Sequence, residues 1–136
     1  MASSIVVPYG AARMFTQKRF GAVLTFVETN FSVTASTQIA VKNNPDRLSL
    51  TFVNNGANDM FVGLSTLVAS VGIKIVSSGQ AINFNVEDDG ELVAQAWYAI
   101  SALTTTLYIL EGIATAYLPN QDNALAQPRP VYYGSQ

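Results

Sequence analysis

The chain has 136 residues, 49% apolar and only 12% charged, with a formal net charge of −2 and neither Cys nor His. It therefore has no thiolate nucleophile, no disulfide and no imidazole, the commonest general base and transition-metal ligand. The acidic balance, with pI near 4.8, also argues against a nucleic-acid partner, because phosphate binding needs a basic stripe.

An ordinary soluble domain carries about a quarter charged residues. The shortage here predicts either a membrane chain or a surface covered by neighbours. Apolar runs such as Ala22 to Val27 fall far short of the roughly 20 residues a spanning helix needs. The start, Met1-Ala2-Ser3-Ser4, lacks the basic region of a secretory signal. The expectation is no membrane partner, and apolar surface occluded in an assembly.

In chain order, residues 1–31 read as an N-terminal arm and strand region. Pro8-Tyr9-Gly10 is turn chemistry. "AARMFTQKRF" reads as a short helix ended by Gly21, or as a loop, and Ala22 to Val27 as a strand.

Residues 32–117 read as a β-sandwich core. After "FSVTASTQIAV" comes a turn at Asn43-Asn44-Pro45-Asp46, where Pro45 cannot donate to a ladder. In "RLSLTFVNNGANDMFVGLS" the apolar residues alternate until Asn54 to Asp59 intervene, which predicts a β-hairpin whose loop holds Gly56 or an Asn at positive φ. Ile73 and Ile75 precede a turn at Ser77-Ser78-Gly79. Ile82, Phe84 and Val86 alternate with Asn83 and Asn85. Glu87 to Gly90 turns again, Leu92 to Ile100 reads as a strand carrying Trp97, and "TTTLYILEGIATAY" as the last strand. Short strands with turns every 8 to 12 residues or so predict an all-β fold: an antiparallel β-sandwich, jelly-roll or Ig-like, with extended N- and C-terminal arms.

Residues 118–136 form the extended C-terminal arm. Three of the five prolines lie there, so no regular element is expected. Pro128 and Pro130 stiffen the end, and Val131, Tyr132 and Tyr133 offer apolar surface. These five residues are the candidate partner-binding group.

Catalytic and cofactor sites are not expected. The carboxylates Glu87, Asp88, Asp89 and Glu91 could offer oxygens to Ca²⁺, but they lack the alternating spacing of a Ca²⁺ loop, and Asp-Asp-Gly is ordinary turn chemistry. The serines have no His to activate them, and no phosphate-binding glycine loop occurs. Trp97 on an alternating strand predicts a core residue, with a sugar-stacking platform as the alternative.

The segments "VKNNPDRLSLTFVNNGANDMFVGLS" and "GIKIVSSGQAINFNVEDDGELVAQAWYAIS" resemble small structural proteins of tailed double-stranded DNA bacteriophages, of the head decoration type. The resemblance covers about Val41 to Ser101 and carries no catalytic residue. It implies a non-enzymatic virion component, assembled in the host cytoplasm; low charge, absent reactive residues, extended ends and occluded apolar surface add the expectation of a decoration protein that binds the major capsid protein and stabilises the head. Neck, tail or fibre-base placement is the nearest alternative, and a carbohydrate-binding module the alternative of another class. Low charge further predicts a closed homo-oligomer, a trimer in the first instance.

Overall fold

A computed structural model describes residues 10–66 and 68–117. These divide into two compact units. The larger, Phe26–Ile113, is the sandwich, and the smaller unit includes Gly10–Thr25 and the residues from Ala114 on.

In the smaller unit, α1 (Gly10–Phe20) is the helical alternative read from the sequence. Gly21 ends it, at φ 65°, with its N–H on the Gln17 carbonyl. A left-handed residue after the last turn satisfies an orphan carbonyl, and glycine adopts it without a Cβ clash. No residue of α1 is buried. Thr25 and Thr115 share a hydroxyl–hydroxyl bond of 2.8 Å.

The strands are β1 (Ala22–Val33), β2 (Gln38–Val41), β3 (Arg47–Asn54), β4 (Met60–Gly63), β5 (Ile73–Ile75), β6 (Ala81–Asn85), β7 (Trp97–Ile100) and β8 (Thr105–Tyr117). They form two four-stranded sheets, ordered β1-β8-β3-β6 and β2-β7-β4-β5. The chain is an all-β sandwich. Of the two topologies left open by the sequence, this order, with the chain passing repeatedly between sheets, is the jelly roll.

The core follows from alternation. Leu50 and Phe52 of β3, Leu107 and Ile109 of β8, Met60 and Val62 of β4, and Trp97 and Ala99 of β7 point inward and meet between the sheets. Trp97 is 2% exposed, stacks on Phe84 with centroids 4.8 Å apart, and meets Phe52 edge-on at 5.7 Å.

Three local expectations are corrected. Arg47 to Ser65 is not a hairpin: β3 bonds to β6 and β8, whereas β4 bonds to β5 and β7 in the opposite sheet. The Asn-Gly loop crosses the sandwich, which alternation alone cannot distinguish from a turn within one sheet. Neither Gly56 nor an Asn of that loop is at positive φ. Gly56 is needed for close approach: a Cβ there would lie 1.8 Å from Thr105 Oγ1 and 2.7 Å from the Thr106 nitrogen. Finally, the strand expected from Leu92 starts at Trp97, because Gly90–Ala94 forms a 3₁₀ turn that buries Val93.

Candidate functional site

Two kinds of feature stand out in the sandwich: buried polar clamps and an open apolar recess. The first clamp is Arg47, 2% exposed. Its Nε donates to Glu111 Oε2 at 2.8 Å, Nη1 to the Val93 and Gln95 carbonyls at 3.0 Å each, and Nη2 to the Lys42 carbonyl at 2.6 Å. One rigid guanidinium fork thus ties β3 and β8 to the segment ahead of β7 and the end of β2. Plain alternation would put Arg47 outside with Ser49, Thr51 and Val53. A register shift between Arg47 and Ser49 turns it inward.

Asn54, fully buried, is the second clamp. Its Nδ2 donates to the Asn58 carbonyl at 2.8 Å and the Ile75 carbonyl at 2.9 Å. Its Oδ1 accepts from the Gly56 N–H and the Thr105 hydroxyl, each at 3.1 Å. Both amide protons and both lone-pair sites are occupied. The sequence carried a signal for this residue, since Asn54 continues the inward parity of Leu50 and Phe52. Its residue type read instead as turn chemistry.

A third tie is exposed. The Ser77 N–H donates to Asp59 Oδ1 at 2.8 Å, and Lys74 Nζ lies 3.5 Å from Oδ2. The Ser77 bond above all, aided by the Lys74 charge, holds the Asp59 carboxyl below its ordinary value. A depressed folded-state value means stabilisation that is present above the unfolded pKa, about 3.9, and lost as pH falls through the folded value. Asp59→Asn is expected to lower the urea midpoint at pH 6, with the gap closing towards pH 2. Midpoint curves running parallel to wild type across that range would refute the assignment.

The acidic segment is a capped helical turn, α2 of the sandwich (Val68–Val71) being followed along the chain by α3 (Val86–Asp89). The Asp88 N–H donates to Asn85 Oδ1 at 2.9 Å, and Asn85 donates in return to Asp89 Oδ2 from its backbone at 2.9 Å and to Asp88 Oδ2 from its side chain at 3.0 Å. Two of the four carboxylates are thus engaged in capping, and acids in a first helical turn suit the helix dipole. Among the described residues no group of three or more acids is arranged to hold a metal ion.

The recess, about 330 Å³, lies in the sandwich unit, with Trp97, Phe84 and Leu92 in its lining and Leu64, Val71 and Ile73 as its exposed apolar members. Gly72 shapes it: a Cβ there would lie 2.5 Å from the Val68 carbonyl oxygen and 2.8 Å from that of Val62. Trp97 Nε1 is the one buried side-chain polar atom without a hydrogen-bond partner among the described residues. The partner-binding group Pro128, Pro130, Val131, Tyr132 and Tyr133 lies outside the described residues.

What the geometry defines is a β-scaffold whose buried polar groups serve the fold. No protein-family model matches the chain, and no curated protein matches it. Among solved structures, a chain from "Bacillus endospore appendages form a novel family of disulfide-linked pili" is similar at TM-score 0.44 and 12% identity, over 69% of this chain and 88% of that one. So distant a likeness bears on neither function nor site.

Proposed function

We propose that the protein is a structural component of a bacteriophage virion, a capsid decoration protein that binds the major capsid protein and stabilises the head. The observation that supports this most is the division of labour among its side chains. The buried polar groups Arg47, Asn54, Ser101 and Thr105 all bond within the sandwich. Large apolar side chains, among them Phe15, Phe26, Val71 and Leu103, stand in solvent. A scaffold of that kind suits lateral contacts, and many weak contacts repeated over a particle give high avidity. The sequence resemblance over Val41 to Ser101 supports the same reading. The sugar-binding alternative, which would use Trp97 and the tyrosines, has less support, since Trp97 is only 2% exposed.

Quantitative mass spectrometry of purified particles tests the proposal. Hundreds of copies per particle are expected for a head decoration protein. Six or twelve would move it to the neck or tail, and absence from particles would overturn the virion reading.

A further inference from the structure

One buried polar group stands apart from the clamps. Arg47, Asn54, Ser101 and Thr105 find their partners inside the sandwich. Trp97 Nε1 has none among the described residues, although Trp97 is only 2% exposed. A buried donor left unpaired forfeits its hydration with nothing in return, so such groups are rare and call for a partner.

The same tryptophan lines the apolar recess, all of whose described lining lies in the sandwich unit. Leu64, Val71 and Ile73 are 48%, 74% and 43% exposed, against 2% for Trp97. The three aliphatic residues therefore form the mouth and Trp97 belongs to the inner wall. Phe84, also in the lining, stacks against the indole with centroids 4.8 Å apart. The N–H lies on the indole edge, in the ring plane, where stacking cannot satisfy it.

The remaining chemistry of the recess narrows the ligand. None of its described lining residues is charged, so a charged molecule would lose its water there without a countercharge. A neutral molecule with one acceptor oxygen would bury apolar surface and pair the indole N–H together. Small-molecule sites are commonly clefts of about 300–1,000 Å³ with apolar and aromatic walls and a few placed polar groups. At about 330 Å³ this recess is at the lower end of that range and suits a molecule of one ring with short substituents.

We propose that the recess binds a small, neutral, apolar molecule bearing a carbonyl- or ether-type oxygen. Leu64, Val71 and Ile73 supply apolar contact, and Trp97 Nε1 donates to the oxygen. The proposal goes beyond the virion reading and does not depend on it. It is tested on the purified chain without particles, so either can fail alone.

Trp97 is the only tryptophan, so the isotope-labelled full chain gives a single indole N–H resonance in a proton–nitrogen correlation spectrum. Acetophenone is the probe, with one aromatic ring and one carbonyl. α-Methylstyrene has the same shape with a CH₂ group in place of the oxygen, and benzoate is the charged counterpart. Acetophenone is expected to move the indole proton downfield and saturably, with Overhauser contacts to the methyls of Leu64, Val71 and Ile73. α-Methylstyrene should bind about fivefold more weakly, the loss expected for one hydrogen bond. Benzoate should bind about tenfold more weakly or worse. Trp97→Phe should lower acetophenone to the affinity of α-methylstyrene. Should that variant not fold, the two neutral probes on the native chain decide alone. An indole resonance unmoved by acetophenone, equal affinity for the two neutral probes, tighter binding of benzoate, or contacts confined to methyls outside the recess would each overturn the proposal.

Discussion

Arg47→Met is expected to destabilise the protein by roughly 3–5 kcal/mol, the range for breaking a buried ion pair by removing one partner. Methionine keeps the length of the side chain and removes every donor. Glu111, whose side chain is 14% exposed, then loses its countercharge. The carbonyls of Lys42, Val93 and Gln95 lose their donor as well. Domains are stable by only about 5–15 kcal/mol, so the loss is a large share of the total. Arg47→Lys should recover little, because a single ammonium cannot reproduce a fork that reaches four acceptors. Adding Glu111→Leu to Arg47→Met should return part of the loss by removing the stranded carboxylate. The three carbonyls would still lack a donor, so recovery stays incomplete. Denaturant midpoints decide the matter. A loss under about 1 kcal/mol for Arg47→Met would show that the clamp contributes no more than an ordinary surface pair.

Asn54→Ala is expected to cost about 3 kcal/mol, from buried groups left unpaired at roughly 1–3 kcal/mol each. The carbonyls of Asn58 and Ile75 and the N–H of Gly56 all lose a partner, the Ile75 carbonyl in a buried position. The damage should be local as well as global. The Asn54 backbone also bonds across to Gln80 and Gly79, so the loop after β3 and the loop before β6 are held at one point. Hydrogen exchange at Gly56, Ser78 and Gly79 should accelerate in the variant more than exchange in β8. Uniform acceleration would mean that Asn54 contributes only to global stability.

Much of the fold was legible because period-two alternation is a local property of a half-buried strand. Leu50 and Phe52 of β3, and Leu107 and Ile109 of β8, have their burial written into their spacing. The absence of Cys and His and the low charge are facts of composition and bound the chemistry without any coordinates. Gly21 as a helix stop and the acidic residues as a turn were likewise readable, because caps and turns are set by neighbours within four residues.

The tertiary structure decided what depends on partners distant in sequence. Whether β3 and β4 form a hairpin or cross between sheets turns on hydrogen bonds to β6, β7 and β8, which the loop residues do not encode. Arg47 faces the core because of a register shift against β8, 64 residues away at Glu111. Gly56 is required by the backbone of Thr106 and not by its own φ. The apolar recess brings together Val62, Phe84, Leu92 and Trp97 from four separate segments, and only packing between the two sheets creates it. Local periodicity fixes which face of a strand is apolar. Closure of the sandwich determines which apolar residues remain in the open.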